Sequence, residues 1–362
     1  MSSIMGNLIK VSIFGESHGT AIGAVIDGLP AGEAISTDEI IAQMERRAPG
    51  RDKSATPRNE SDLPQILSGI LDGRTTGMPL CAQIPNSDTR SSDYSYLKST
   101  PRPSHADYPA TVKYGSSFDI RGSGHFSGRL TAPIVFAGSV CRQILARRGV
   151  TVGGHIYSVG DVCDTPFDSV NVTGDELNKL NTRSFSVIDS YSEVRMREEI
   201  EKARLDNDSI GGVVEIAVTG LPVGVGEPMM HGVESALSAA VFGIPAVKGI
   251  EFGAGFGIAK MRGSAANDPY ALRDGRVCTV SNNNGGILGG ITTSMPVIMR
   301  VAIKPTPSIG QPQSTLCTET MQDSVLSIRG RHDPCIVPRA LPAVEAAVCI
   351  AILDLMKEGG KL

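Results

Sequence analysis

Short alternating runs and longer apolar ones divide this chain into strands and helices. L-I-K-V-S-I-F at 8–14, the stretches 21–27 and 212–219, and M-P-V-I-M-R-V-A-I at 295–303 read as strands, the last rich in β-branched residues. Ser36 with Glu39 predicts a capping box ahead of I-I-A-Q-M-E-R-R, and Pro49-Gly50 a close to that helix. Residues 129–148 predict a largely apolar helix ending in A-R-R before Gly149, and 340–357 a long buried one ending before Gly359-Gly360. V-R-M-R-E-E-I-E-K-A-R, at 194–204, has an amphipathic helical pattern. Strands are not followed regularly by helices, so the pattern predicts a mixed α+β layer architecture instead of a doubly wound parallel sheet. Two strand-then-turn units look alike, V-I-D-G-L-P-A-G at 25–32 and A-V-T-G-L-P-V-G at 217–224. So short a match favours one turn chemistry used twice over an internal duplication.

Composition narrows the classes of function. A chain of 362 residues can bury a sizeable core, and 41% hydrophobic with 20% charged residues lies in the soluble globular range. The net charge is only −4, so any surface for anions must be local. Arg46, Arg47, Arg51, Lys53 and Arg58 form such a cluster, which suits a small anionic ligand better than nucleic acid. Aromatic residues make up 4% and Trp is absent, which leaves no base-stacking platform. The 41 glycines and 22 prolines are spread through short motifs, a sign of tight turns and close backbone approaches, not of a linker. The seven cysteines form no C-x-x-C pair and several lie in apolar segments, so reduced, buried thiols are expected. With no basic-then-apolar leader and no apolar run of spanning length, the expected location is the cytoplasm, away from membranes.

Three of the six histidines sit in polar clusters. His18 lies in G-E-S-H-G, His105 in R-P-S-H-A-D-Y, and His332 in G-R-H-D-P-C beside Arg331 and Asp333. Imidazoles titrate near neutral pH and arginines hold phosphate or carboxylate bidentately, so together they suit acid–base work on an anionic substrate. His155 and His231 lack such a setting and are expected to be structural or surface residues. G-S-G-H-F-S-G at 122–128 has the wrong spacing for a dinucleotide fingerprint, but it precedes an apolar helix and could hold a phosphate or simply make a packed corner. K-P-T-P-S-I at 304–309 is either a phosphate cradle or a rigid strand exit. N-N-N-G-G-I-L-G-G-I at 282–291 lets a flat cofactor or another backbone come close. Metal-binding spacings such as H-E-x-x-H are absent.

Taken in order, F-G-E-S-H-G with D-G-L-P-A-G, R-R-A-P-G, R-P-S-H-A-D-Y, V-K-G-I-E-F-G, N-N-G-G-I-L-G-G-I, K-P-T-P-S-I and G-R-H-D-P-C with P-R-A-L-P make the chain resemble the chorismate synthase family nearly end to end. The resemblance implies an anti-1,4-elimination of phosphate from 5-enolpyruvylshikimate 3-phosphate, giving chorismate. It also implies a requirement for reduced FMN in a reaction that is redox-neutral overall, the flavin lending an electron and recovering it when the C6 hydrogen leaves. The fold it implies is α+β: a single domain over 1–362, a β-α-β sandwich with helices packed between antiparallel sheets, assembled as a homotetramer.

By the same matching, His18 and His105 are the two catalytic acids, one protonating the reduced flavin and the other meeting the leaving phosphate. Asp333 would face the flavin's reactive nitrogen on the route of the C6 proton. The implied flavin contacts are His125, Phe126, Ser127, Pro245, Ala246, Gly289, Lys304, Pro305, Thr306, Pro307, Ser308 and Arg331. Arg47 and Lys53 match the anion-binding region where some members are described with NADPH, and Arg129 and Arg339 are further candidates for substrate phosphate or carboxylates. The chain departs from the commonest pattern in having H-F-S-G-R-L for R-S-S-A-R-E, Lys53 for an arginine, and Pro245 for an amide. Lys53 keeps the charge without the bidentate fork. The competing readings are an ordinary FMN-dependent oxidoreductase and a silent phosphate- or flavin-binding scaffold. With no separate reductase segment evident, reduced flavin is expected from an external source.

Overall fold

The computed structural model describes residues 3–50, 62–87, 97–328 and 333–362. Lys53, Arg331 and His332, with Arg51 and Arg58, lie outside those ranges.

Two five-stranded antiparallel sheets enclose a layer of helices. The first has the spatial order Ile4–Met5, Lys10–Gly15, Ala21–Asp27, Leu80–Pro85, Gln65–Ser68. The second runs Val247–Phe252, Val297–Ile303, Gly212–Thr219, Thr151–Val159, Val162–Cys163. Six helices are labelled here: α1 (Thr37–Arg47), α2 (Asp107–Tyr114), α3 (Thr131–Arg147), α4 (Gly174–Asn181), α5 (Ser190–Leu205) and α6 (Val233–Phe242), and a long C-terminal helix spans Val337–Glu358. α3 lies on the first sheet and along the C-terminal helix, which lies on the second sheet with α6 beside it. This is the expected α+β sandwich with helices between antiparallel sheets. It explains why both long helices are apolar nearly all round: each is covered on every side. One contiguous apolar cluster runs through both sheets and the helices between them, from Ile9 to Met356.

The two long helices touch at Gly138, where an added Cβ would sit 2.3 Å from the Cβ of Ala346. Beside that contact the C-terminal helix buries Glu345 completely. The charge is compensated by Arg46, whose guanidinium donates at 2.6 and 3.2 Å, and by Arg142 at 2.8 Å.

The repeated turn belongs to something larger than turn chemistry, and here the sequence reading needs correction. Lys10–Gly15, Ala21–Asp27, α1, Gln65–Ser68, Leu80–Pro85 and α3 recur in kind as Thr151–Val159, Gly212–Thr219, α6, Val247–Phe252, Val297–Ile303 and the C-terminal helix. In both sheets these four strands lie in the order first, second, fourth, third. The G-L-P-x-G turn follows the second strand each time, with Gly28 at φ 85° and Gly220 at φ 81°. A Cβ at either would lie 1.9–2.0 Å from a carbonyl oxygen of a neighbouring segment, so only glycine fits. The chain is a duplicated ββαββα unit.

A polar row crosses the second sheet. His155, Glu215, Arg300 and Glu251 stand directly opposite one another on four adjacent strands. His155 is fully buried, with Nδ1 2.9 Å from Asp164 and Nε2 3.0 Å from Glu215. Burial opposes its charge, but the two carboxylates outweigh burial and raise its pKa.

The N-N-N-G-G run is used internally. Asn282 donates to the carbonyls of Ser169 and Pro296, both at 2.8 Å, and accepts the Gly286 N–H at 2.7 Å. Asp268 accepts the backbone N–H groups of Asn283 and Asn284. A Cβ on Gly253 would come 2.4 Å from the Gly285 nitrogen, so what approaches this run closely is another stretch of backbone.

Candidate active site

The G-E-S-H-G bend is closed by the Gly19 N–H donating to the Glu16 carbonyl at 3.0 Å. The Asn86 amide clamps it further, donating to the carbonyls of Glu16 and Gly19 at 3.0 and 2.8 Å. His18 is thereby held nearly buried against the segment 121–126. A Cβ on Gly122 would lie 2.4 Å from His18 Cδ2 and 2.6 Å from Nε2. That segment reaches so close because Gly122, Ser123 and Gly124 all have positive φ, of 55°, 71° and 52°. For Ser123 this is a strained conformation, held in place by its surroundings. The Ser17 N–H donates to the Gly124 carbonyl at 3.1 Å, and His125 spends both ring nitrogens locally, Nδ1 on the Gly15 carbonyl and Nε2 on Ser3 Oγ, each at 2.8 Å.

On the other side of Ser123 lies the His105 loop. Arg102 donates to Ser123 Oγ at 2.8 Å, to Ser308 Oγ at 3.1 Å, and through Nε and one terminal nitrogen to both oxygens of Asp107 at 2.7 Å. His105 Nδ1 is 2.7 Å from Asp107 Oδ1. Burial lowers the His105 pKa, Asp107 pulls it up, and the Arg102 and Lys304 cations push it down, with a net shift downward. Lys304 donates to the Ser104 carbonyl at 2.5 Å and Thr306 to the Asp333 carbonyl at 2.9 Å, so K-P-T-P-S packs between the His105 loop and Asp333. Ala246 joins the same loop by accepting the Lys304 N–H at 3.0 Å, with its own φ at 76°.

A third group centres on Asp62. Arg47 donates to its Oδ2 at 2.5 Å and Arg129 to its Oδ1, all three side chains being buried. Arg47 also donates to Thr131 Oγ1 and the Gly128 carbonyl, and Arg129 to Asn86 Oδ1 at 2.8 Å. Burial, against the pull of Asp62, brings Arg47 down to about 10. Arg339 donates to Asp333 at 2.8 Å and to the Arg47 carbonyl at 3.3 Å.

Most of the residues singled out in the sequence therefore meet. His18, His105, Lys304–Ser308, Asp333, Arg47, Arg129 and Arg339 belong to one connected network around 121–129, in which Asn86 links the Arg129 group to the His18 bend. Ser127 accepts the Arg129 N–H at 3.3 Å, and Phe126, 40% exposed, makes a T-shaped contact with Phe118. Pro245 precedes Ala246 in that approach. Gly289 lies apart, in the turn between Ile287–Leu288 and Ile291–Thr292, and no contact among the described residues ties it to the network. Sequence reading missed Asp62 and Asn86, which carry no local signal. Arg102 and Asp107 stood in plain view beside His105 in R-P-S-H-A-D-Y. No group of three metal-ligating side chains is arranged to hold a metal ion, and no helix is long and apolar enough to cross a membrane, among the described residues.

A family model described as chorismate synthase matches residues 9–356. A chorismate synthase of Thermococcus kodakarensis is 47% identical over 349 residues, 96% of each chain. One of Dehalococcoides mccartyi is 44% identical over 360 residues, 99% of this chain and 98% of its own. A crystal structure of a chorismate synthase superposes with a TM-score of 0.77 at 26% identity, over 98% of this chain and 93% of the other.

Proposed function

Since the chain belongs to the chorismate synthase family, we propose that it acts as a carbon–oxygen lyase, eliminating phosphate from 5-enolpyruvylshikimate 3-phosphate to give chorismate. The observation that carries this reading is the convergence of two constrained imidazoles with the Arg47–Arg129–Arg339 group and Lys304 around residues 121–129. The substrate carries a phosphate and two carboxylates, and the departing phosphate concentrates negative charge. Arginines fixed in advance by buried hydrogen bonds meet that charge without reorganising.

His18 and His105 supply the protons. Neither needs to search for its geometry, because Gly122 backs the first and Asp107 the second. An anion bound beside Arg102 and Lys304 offsets the repulsion those cations exert on a charged His105. The imidazole therefore takes up its proton as the anion arrives and holds it ready to give. Asp333, anchored by Arg339, is the carboxylate placed for the C6 proton.

The residues also fit reduced FMN. Ser17 Oγ is buried without a hydrogen-bond partner among the described residues, Phe126 offers a partly exposed aromatic ring, and Lys304, Thr306, Ser308 and Ser127 offer a cation and hydroxyls for a phosphate-bearing ring system. When bound, the reduced flavin supplies an electron-rich ring that eases C–O cleavage without net redox change. We further propose an external reductant, NADPH at Arg47 and Lys53 among the candidates, and a cytoplasmic homotetramer. Exposed Met229, Met230, Phe256, Leu272 and Val277 support the assembly.

The test is an anaerobic assay with 5-enolpyruvylshikimate 3-phosphate and dithionite-reduced FMN, following chorismate by ultraviolet absorbance. Product is expected only with reduced flavin and without net flavin oxidation. His18→Ala and His105→Ala should each lower kcat by about 10²–10⁴-fold. No product, or oxidation of flavin coupled to another acceptor, would overturn the reading and favour an ordinary flavin oxidoreductase.

A further inference from the structure

We propose that Asp107 is a positioning residue that fixes the tautomer of His105, placing the ring hydrogen on Nδ1 and leaving Nε2 to take and give the working proton. The proposal rests on the catalytic reading of His105 above and goes one layer behind it.

Hydrogen counting around Arg102 carries the argument. One terminal nitrogen of Arg102 stands 3.2 Å from His105 Nδ1, close enough to suggest that the guanidinium donates to the ring. That nitrogen has two hydrogens, and both are taken: one by Asp107 Oδ1 at 2.7 Å, the other by Ser123 Oγ at 2.8 Å. The Arg102 Nε hydrogen goes to Asp107 Oδ2, and the other terminal nitrogen serves Ser308. The Arg102 nitrogen that faces the ring therefore has no hydrogen left for it. An ionised carboxylate only accepts, so the 2.7 Å contact between Nδ1 and Asp107 Oδ1 requires the hydrogen on Nδ1.

Asp107 can be relied on to stay ionised. Although burial works against its charge, Arg102 and His105 hold its pKa far below the ordinary carboxylate value. Nε2 has no hydrogen-bond partner among the described residues, and the side chain keeps 15% of its surface exposed. The charged groups facing His105 are Arg102 from its own loop, Asp107 from the first residue of α2 and Lys304 from the strand exit. Arg102 links the pair to Ser123, whose neighbour Gly122 backs His18, so the arrangement also sets the spacing of the two imidazoles.

Asp107→Asn tests this with almost no change of shape. If the new amide nitrogen replaced Oδ2, it would oppose two donors, the Arg102 backbone N–H and Nε. In place of Oδ1 it opposes one Arg102 hydrogen and can donate to His105 Nδ1. The second placement wins, and His105 must move its hydrogen to Nε2.

Sedimented protein labelled with ¹³C,¹⁵N-histidine would be studied by magic-angle-spinning NMR, without substrate or flavin. Each ring nitrogen is identified by its bonded carbon, Cγ for Nδ1 and Cδ2 for Nε2, and His105→Gln identifies the His105 signals by their loss. The wild type should show the hydrogen on Nδ1 and Asp107→Asn on Nε2. In the turnover assay Asp107→Asn should lose about 10²-fold in kcat, with KM little changed. A wild-type hydrogen on Nε2 overturns the proposal, as does an unmoved tautomer in folded Asp107→Asn or full kcat with the tautomer moved. Should Asp107→Asn fail to fold, the wild-type spectrum alone decides. A wild type that shows the Nδ1 hydrogen yet makes no chorismate would count against the reaction, not against the tautomer.

Discussion

Asp62→Asn separates charge from shape at the arginine group. The backbone at Asp62 has φ 49°, a conformation that Asn tolerates and Ala does not, so the change removes the charge while sparing the turn. Asp62 is the shared counter-charge of two buried guanidinium groups. Arg47 keeps Thr131 and the Gly128 carbonyl, and Arg129 keeps Asn86, so what is lost is the charge and one good bond on one side. Removing one partner of a buried pair costs about 3–5 kcal/mol. At about 2.1 cal/mol/K per residue, 362 residues give an unfolding entropy near 0.76 kcal/mol/K, so Tm should fall by roughly 4–7 °C. If these arginines hold an anion in the reaction, inorganic phosphate should bind more tightly beside them once their counter-charge is gone. Phosphate at ten times its Kd would return about 1.4 kcal/mol, or roughly 2 °C, to the variant and less to the wild type. Differential scanning fluorimetry with and without phosphate reads both effects. A fall below about 1 °C would refute the buried-pair argument. An equal phosphate response in both proteins would refute the anion site.

Three other outcomes follow from single contacts. Gly122→Ala puts a methyl group 2.4 Å from His18 at a φ of 55°, and pushing the imidazole away should lower kcat by roughly 10²-fold in a chain whose circular dichroism is unchanged. Gly138→Ala should destabilise by about 1–2 kcal/mol in urea, because overpacking against Ala346 exceeds the helix propensity gained; a neutral result would mean the two long helices separate freely. His155 has a folded pKa above its unfolded value of 6.5, so its stabilisation is complete below that value and lost as pH rises through the folded pKa. The gap in urea midpoint between wild type and His155→Gln should therefore narrow as pH rises above 6.5, whereas a constant gap would mean the ring is neutral when folded.

How legible each part was depends on whether its signal is local. α3 and the C-terminal helix could be read because each is a long apolar run ended by glycine. α5 followed from its pattern, and the structure adds Asp189 as its cap. Thr151–Val159 escaped because Gly153, Gly154 and His155 interrupt it and both its faces are covered, which erases the in-and-out alternation. His155, expected to be structural or on the surface, proved buried, and its partners Asp164 and Glu215 arrive from 9 and 60 residues away. The imidazoles at 18 and 105 stood out because a histidine in a tight Gly- or Pro-bounded bend is unusual. Asp62 did not, since its partners are 15 and 67 residues distant and no spacing rule joins them.

The duplicated unit has a consequence for where activity resides. The connection from fourth strand to long helix is 86–130 in the first half and 304–336 in the second, and the described parts of these two equivalent connections touch. They are stitched together by Arg102 to Ser308, Lys304 to Ser104, and Thr315 and Thr318 to the carbonyls of Pro101 and Ser99. The first half carries His18 and His105, the second Lys304 and Asp333, so on the proposed reading neither half owns a working centre. Split after Arg148, the polypeptide should give two pieces that are each inert and that recover turnover only as an equimolar pair. An ancestor of half the length would have built the same junction from two identical copies about a twofold axis. The division of labour between histidine and lysine sides would then be what fusion into one chain made possible.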